Sequence, residues 1–417
     1  MNHQKNNFFD SKATAQIEKG NPNELSFHEL GLDAPILKIL DQLHFHTPTP
    51  IQAQAIPDAL NGEDIIGVAQ TGTGKTLAFG LPIIQRLIRH GGKGLILLPT
   101  RELALQVEEM LQKIARSFGL RTVTIIGGAP MHHQIKDLRR NPHVIIGTPG
   151  RLIDHMERRT IPLQDVSILV LDEADRMLDM GFAPQIKKLL QVVPKDRQTM
   201  LFSATMPNDI VKIATQHMKR PTHVEVARQG SPATLVHQEI YIVAQNQKRN
   251  LLSVLLRQYQ GTVLVFSRTK HGAKKICRDV NQMDYRAAEI HSNLSLAQRR
   301  KSLEGFKKGV YRVLVATDIA ARGIDVNDIA LVINYDVPEY AEDYVHRIGR
   351  TGRAGKKGRA ITFIMPSQSD KLRKIERLIE AKIPIINLPK GLPEPEQEAP
   401  KVHRMRSGTR TSYRSHR

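Results

Sequence analysis

Short, β-rich apolar runs recur along the chain with helical stretches between them: 65–69, 94–98, 122–126, 143–147, 167–171 and 198–202, then, after a break, 262–266, 286–290, 311–316, 330–334 and 360–364. This alternation predicts parallel strands with helices on both faces, since a parallel crossover needs a helix and leaves the strand apolar on both sides. The two halves read as copies of one plan. The joint is placed at Ala227–Thr234, where Arg228-Gln229-Gly230-Ser231-Pro232 is rich in turn-forming residues. A helix is predicted over 369–388, because Leu372, Ile375, Leu378 and Ile379 share helical spacing. The division is then a flexible segment 1–24, a first domain 25–226, a linker 227–234, a second domain 235–368 and a C-terminal extension 369–417. Beyond Pro389 the Pro/Glu-rich stretch and the basic end offer too little apolar area to offset the entropy of ordering, so disorder is expected there.

Several runs end in turns carrying Thr, Ser, Gly or Asp, among them Leu98-Pro99-Thr100-Arg101, Ile146-Gly147-Thr148-Pro149, Phe202-Ser203-Ala204-Thr205, Phe266-Ser267-Arg268-Thr269 and Ala316-Thr317-Asp318. In an open α/β sheet, ligands bind beyond the carboxyl ends of the strands, so chemistry is expected at these turns.

Composition adds a partner class. Lys and Arg number 61 against 41 Asp and Glu, a net charge of +20 that favours a polyanion, with nucleic acid foremost. Lys401, Arg404, Arg406, Arg410, Arg414 and Arg417 carry six of these charges in an acid-free end, which leaves +14 for the first 400 residues. A lone cysteine, Cys277, excludes an internal disulfide and a multi-cysteine zinc site. No apolar run approaches the roughly 18 residues of a membrane span, and the segment Met1-Asn2-His3-Gln4-Lys5 opens no signal peptide. A soluble cytoplasmic protein with no membrane partner is expected.

Gly72-Thr73-Gly74-Lys75-Thr76 follows the first apolar run and precedes a helical stretch. In a phosphate loop, backbone N–H groups and the helix N-terminus hold phosphates, the lysine reaches the terminal ones and the threonine hydroxyl meets Mg²⁺. The generic pattern has glycine where this chain has Ala69. Ile168-Leu169-Val170-Leu171 then ends in Asp172-Glu173-Ala174-Asp175, which supplies a carboxylate near Mg²⁺ and a group to position an attacking water. His346-Arg347-Ile348-Gly349-Arg350-Thr351-Gly352-Arg353 has two readings, a nucleic-acid patch or arginines that stabilise charge on a transferring phosphoryl group.

Taken in order, Thr47-Pro48-Thr49-Pro50-Ile51-Gln52, Ala69 to Thr76, Pro99-Thr100-Arg101-Glu102-Leu103-Ala104, Gly127-Gly128, Thr148-Pro149-Gly150-Arg151, Asp172 to Asp175, Ser203-Ala204-Thr205, Val265 to Thr269, Thr317 to Asp325 and His346 to Arg353 resemble the motifs of the DEAD-box ATP-dependent RNA helicases of superfamily 2, in a short bacterial form. The resemblance spans about Phe27 to Met365 and implies an α/β fold of two tandem RecA-like domains, each a mostly parallel sheet with helices on both faces, that close over ATP and RNA. Ala69 is itself the family's usual residue.

The resemblance also implies roles. Phe45 would stack on adenine, Gln52 would read its edge, and Phe27 and Thr47 would support the site. Ala69, Gln70, Thr71, Gly72, Thr73, Gly74, Lys75 and Thr76 would hold the phosphates, with Thr76 and Asp172 on Mg²⁺ and Glu173 activating water. Gly323 and Asp325 would meet the nucleotide from the second domain, and Arg350 and Arg353 would act as fingers. Ser203, Thr205, Asp175 and His346 would couple hydrolysis to closure. Pro99, Thr100, Arg101, Gly128, Thr148, Arg151, Arg268, Arg299 and Thr317 would hold RNA, single strands or short duplexes, by phosphates and sugars, hence with little base preference.

The expected activity is RNA-stimulated ATP hydrolysis with local unwinding or ribonucleoprotein remodelling by a monomer. The alternatives are an ATP-gated RNA clamp with little unwinding and, more distantly, a DNA helicase. Ribosomal or RNA-decay complexes are the expected partners. Two positions depart from the family: His44, where glycine is frequent, and Leu296, where a glutamine usually opens the Gln-x-x-Arg element that ends here at Arg299. Loss of one phosphate contact is expected at Leu296.

Overall fold

The computed structural model describes residues 25–69, 72–226, 236–318, 329–352 and 358–394. Segment 1–24, linker 227–234 and the basic end lie outside the described residues, as do Gln70, Thr71, Gly323, Asp325 and Arg353.

Each predicted apolar run forms a strand. The first sheet contains β1 (Ile65–Val68), β2 (Lys93–Leu97), β3 (Thr122–Ile125), β4 (Val144–Gly147), β5 (Val166–Leu171), β6 (Gln198–Ser203) and β7 (Thr222–Glu225), in the order β3-β4-β2-β5-β6-β1-β7. The second contains β8 (Val236–Ile242), β9 (Val263–Phe266), β10 (Ala287–Ile290), β11 (Val313–Ala316), β12 (Leu331–Asn334), β13 (Gly358–Ile364) and β14 (Ile385–Ile386), in the order β10-β11-β9-β12-β13-β8-β14. Lowering each number of the second order by seven reproduces the first, so one topology occurs twice. Every ladder among the described residues is parallel.

Strand side chains alternate between two cores per sheet, as the two-residue period requires. In β5, Ile168 and Val170 join the core beneath helices Ala34–Gln42, Pro50–Asn61, Lys75–His90 and Arg101–Ala115, whereas Leu169 and Leu171 join the one beneath Pro149–Glu157, Ala183–Val192 and Asn208–His217. In β9, Leu264 and Phe266 face the helices Leu296–Lys307 and Ala341–Ile348, and Val263 and Val265 face Lys248–Gln258 and Lys270–Asn281.

The sequence reading missed three strands. β7 and β8 carry polar residues that find partners: the Thr222 hydroxyl donates to Glu63 at 2.9 Å, Gln238 accepts from the Tyr344 hydroxyl at 2.8 Å, and Glu239 pairs with Arg359 at 3.1 Å. The helix predicted over 369–388 covers only Ser369–Ile379, because Glu380 turns left-handed at φ 54° and Pro384 precedes the two-residue strand β14. Order also extends past Pro389, against the expected disorder. Leu388 and Leu392 pack on the second domain's core, and the carbonyls of Pro393 and Glu394 accept from Gln247 and Asn246 at 2.6 and 2.9 Å.

One glycine sets the spacing under the site. A Cβ on Gly67, in β1, would stand 2.5 Å from the ring of Phe202, which packs against Phe79 with centroids 5.6 Å apart. Both rings are fully buried and have nowhere to shift. Gly67→Ala is therefore expected to destabilise the first domain by about 1–3 kcal/mol, the usual overpacking cost, read as a lower urea midpoint at unchanged slope.

Candidate active site

The ends of β1, β5 and β6, neighbours in the first sheet, gather the nucleotide candidates. The Ala69 N–H donates to the Ser203 carbonyl at 2.9 Å, which joins the loop to β6. Gly72 and Gly74 adopt φ of 89° and 93°, open to glycine at no steric cost. Gly74 is also crowded, since a Cβ there would strike the Gln52 amide nitrogen. The helix Lys75–His90 starts at this point with Thr76 half-buried in its first turn, and its leading N–H groups have no intrahelical acceptor. Free N–H groups, the helix dipole and a lysine together suit a phosphate chain.

Lys75 is 5% exposed. Its Nζ donates to the Ala69 carbonyl at 3.1 Å and to Glu173 Oε1 at 2.9 Å, and lies 3.8 Å from Asp172 Oδ1. Burial opposes the ammonium's charge, yet Glu173 and Asp172 hold its pKa above the ordinary lysine value. Burial pushes the Asp172 carboxyl up to about 6 against the pull of Lys75. Glu173 caps the start of the helix Ala174–Asp179 with φ 54°, a strained conformation for a residue that bears a Cβ.

Next to the loop, Gln52 is engaged twice: Oε1 accepts from the Thr49 N–H at 2.9 Å and Nε2 donates to the Gly74 carbonyl at 2.9 Å. The first bond completes the capping box of helix Pro50–Asn61, and the second carries that helix onto the phosphate loop. Phe45 is half-buried against the first core, Thr47 is exposed, and Phe27 is 2% exposed within the core, so Phe27 acts from behind the site. His44 has φ 61°, the left-handed geometry that glycine adopts freely, so its backbone conformation is the one a glycine there would supply.

Carboxylates then connect the loop to β6 and to the second domain. Asp175 Oδ2 accepts from the N–H groups of Ala204 and Thr205 at 3.2 and 2.9 Å and from the Thr205 hydroxyl at 2.9 Å, and the Asp175 N–H donates to Ser203 Oγ at 3.2 Å. Arg176, 1% exposed, pairs through Nε with Glu173 Oε2 at 2.9 Å and reaches His346 Nδ1 with Nη2 at 3.0 Å. A guanidinium only donates, so Nδ1 accepts and the ring proton sits on Nε2. Arg350 is buried on the same segment, its Nε donating to the His346 carbonyl at 3.3 Å. Sequence reading passed over Arg176. The available signal was a basic residue three positions after Glu173 on a helical start.

RNA candidates occupy the other half of the sheet edge, beyond β3, β4 and β2. Pro99 and Thr100 are buried, and Thr100 Oγ1 caps helix Arg101–Ala115 by accepting from the Leu103 N–H at 3.3 Å. The Arg101 guanidinium lies over Gly127 and Gly128: a Cβ on Gly127 would stand 3.1 Å from it, and one on Gly128, at φ 80°, would strike it. Arg151 donates to the Ala129 carbonyl at 3.0 Å, and Thr148 is buried beside it at the start of its helix. In the second sheet, Arg268 follows β9 and is exposed, and Thr317 follows β11. Asp336 anchors the Arg268 turn by accepting from Lys248 Nζ, Ser267 Oγ and the Arg268 N–H at 3.0, 3.2 and 3.0 Å. Asp318 takes a bidentate pair from Arg347 at 2.6 and 2.8 Å beside Thr317. Arg299 is placed differently. It is 8% exposed, and its guanidinium meets Glu102 of the first domain at 3.0 Å, so it joins the domains by an ion pair.

The family description "DEAD/DEAH box helicase" fits residues 49–213, and "Helicase conserved C-terminal domain" fits 246–355. The DEAD-box ATP-dependent RNA helicase CshA of Bacillus cereus (strain ATCC 10987 / NRS 248) is 45% identical over 87% of this chain and 70% of its own length. The chain belongs to the DEAD-box ATP-dependent RNA helicases. The CshA of Bacillus subtilis (strain 168) is 44% identical over 86% of this chain and 73% of its own. Among solved structures of DEAD-box helicases, S. cerevisiae Dbp5 bound to RNA and ADP BeF3 superposes with a TM-score of 0.77 at 31% identity, covering 87% of this chain and 95% of that one. Mss116p bound to ssRNA and AMP-PNP gives 0.79 at 29% identity, covering 89% and 81%. The DEAD box protein of Methanococcus jannaschii is more alike in sequence, 40% identical over 87% and 99%, yet its TM-score is 0.52. Across both domains the chain superposes better on the two RNA-bound structures than on that protein.

Leu296, where loss of a phosphate contact is expected, has an apolar setting. It is half-buried and packs against the first domain's core from the second domain, one helical turn from Arg299. Gln298 is tied to the start of the same helix, its Oε1 accepting from the Ser295 N–H at 2.9 Å in the capping box. Leu296→Gln is expected to weaken RNA binding in the presence of a non-hydrolysable ATP analogue by about 1 kcal/mol, the scale of a half-buried leucine, with unchanged thermal unfolding. Tighter binding would restore the phosphate-contact reading.

Proposed function

We propose that this DEAD-box helicase hydrolyses ATP when its domains close on RNA, and that closure bends and locally opens a short duplex. The observation that carries this reading is the contact chain Lys75–Glu173–Arg176–His346, which runs from the phosphate loop to the second domain through side chains withdrawn from water. RNA-bound closure that aligns His346 also fixes Arg176, and through it the carboxylate beside the terminal phosphate. In this reading Glu173 takes the proton of the attacking water, Lys75 and Arg350 meet charge on the transferring phosphoryl group, and Asp175 with Ser203 and Thr205 relays the state of the site to β6. Arg353, Gly323 and Asp325 complete the proposed site from outside the described residues.

Among the described residues no three His, Cys, Asp or Glu side chains converge on one point. Mg²⁺ would accordingly be held by phosphate oxygens, Thr76 and Asp172, where it would supply charge neutralisation. Arg101, Gly128 and Arg151 with Arg268 and Thr317 would hold the RNA backbone, as the names of the RNA-bound relatives suggest. No described helix is long and apolar enough to cross a membrane. Cytoplasmic location, monomeric action and ribosomal or RNA-decay partners remain part of this proposal.

RNA-stimulated ATPase measured beside strand displacement on short duplexes tests it. Stimulation without displacement selects the clamp, and equal stimulation by DNA selects a helicase indifferent to the 2′-hydroxyl. Glu173→Gln keeps the shape but cannot accept the proton, so turnover is expected to fall by about 10²–10⁴-fold while ATP-dependent RNA binding persists. Turnover at the parental rate would remove Glu173 as the base.

A further inference from the structure

The helix Lys270–Asn281 carries Lys270, His271, Lys274, Lys275 and Arg278 on its exposed side. His271, Lys274, Lys275 and Arg278 follow the i, i+3, i+4, i+7 spacing of one helix face, opposite Ala273, Ile276, Cys277 and Val280 in the core. We propose that this stripe is a second RNA-backbone site, which takes the stretch of RNA that leaves the groove between the domains. The proposal rests on the RNA-enzyme reading above.

Charge compensation is sparse on this helix. On other helices several exposed cations find a carboxylate one turn away: Lys113 with Glu109, Lys212 with Asp209, Arg300 with Glu304 and Arg373 with Asp370. Here the helix holds a single acid, Asp279, and that pairs at 3.6 Å with Arg249 of the neighbouring helix. The neighbour, Lys248–Gln258, contains no acid. Glu289, on the adjoining strand β10, pairs with His291 at 3.5 Å. Lys270 meets a neutral side-chain oxygen, that of Asn293, at 3.1 Å. Like charges one turn apart repel one another, so a surface of this kind suits a polyanion that releases its counterions on binding.

Position argues for RNA over an acidic protein. The stripe begins two residues after Arg268, at the end of β9 where the second domain's RNA candidates lie, and runs away from that edge. Its charges recur once per turn, about 5.4 Å, a spacing comparable to that of successive phosphates on a single strand. The stripe extends the track beyond the domain's edge and adds no base contact, so its contribution should be independent of sequence and dependent on RNA length.

The test uses the full chain carrying Lys274→Gln, Lys275→Gln and Arg278→Gln, and two RNAs: one of about 8 nucleotides, within the span of a single groove, and one of about 30. With the short RNA, affinity and ATPase stimulation are expected to match the parent. With the long RNA, affinity should fall by about tenfold at low salt, and the slope of log K against log salt should shrink by about 2 units, 0.7 for each of three contacts. The variant Lys274→Arg with Lys275→Arg should retain long-RNA binding, because the contact is one of charge.

Long-RNA affinity and salt slope at parental values would overturn the proposal and leave the stripe to an acidic protein. An equal loss on both RNAs would also overturn it, since the stripe would then belong to the groove or to the fold, the latter revealed by a lower melting temperature. Failure of the parent to show any RNA stimulation would instead strike the functional reading, before the variant is compared.

Discussion

Two cations and two carboxylates, Lys75, Arg176, Asp172 and Glu173, are enclosed at the ends of β1 and β5, each 5% exposed or less. Desolvating any one of them alone costs several kcal/mol, so the cluster persists only because each charge faces an opposite one at close range. That constraint shapes the surroundings. Asp172 takes the Glu173 N–H at 2.9 Å, Asp175 gathers the turn after β6, and the second domain supplies His346 as an acceptor for Arg176. A phosphate chain entering beside Lys75 brings new negative charge and must redistribute these pairs. In the proposed reading, nucleotide would thereby alter how the domains hold one another.

The strand order explains why nucleotide and RNA can be sensed together without sharing a pocket. In β3-β4-β2-β5-β6-β1-β7, the phosphate loop, the carboxylates and the Ser203–Thr205 turn follow the adjacent strands β1, β5 and β6, and Arg101, Gly128 and Arg151 are grouped around β2, β3 and β4. Both groups extend from one sheet, in which a ladder of backbone hydrogen bonds joins β5 to β2. The second sheet repeats the arrangement, with Arg268 and Thr317 after β9 and β11.

Between the domains, polar and apolar contacts divide the work. Arg176 with His346 lies next to the chemistry, whereas Arg299 with Glu102 and the packing of Leu296 lie by the RNA edge. Burial holds the Arg299 pKa below its ordinary value, opposed by Glu102, and the pair is withdrawn from water. Leu296 supplies apolar surface one turn away that helps exclude it. The aliphatic group at this position contributes to the contact between the domains by burial.

Strand positions, the phosphate loop and the acidic turn were legible in the sequence, because a strand buried on both faces must be apolar and a phosphate site must be rich in glycine beside lysine. The polar strand β8 was not legible, since Gln238 and Glu239 gain their partners, Tyr344 and Arg359, from over a hundred residues away. The early end of the last helix depended on Glu380 accepting a left-handed backbone so that Ile385 and Ile386 could pair with β8. Nor could spacing show that Arg299 faces Glu102, that Leu296 leaves its own domain's core or that Arg176 reaches His346. Local sequence determined which residues could bear charge, make a turn or enter a core. Which charge met which was decided by tertiary structure, because electrostatic compensation in a dry interior depends on distances that only the packed domains establish.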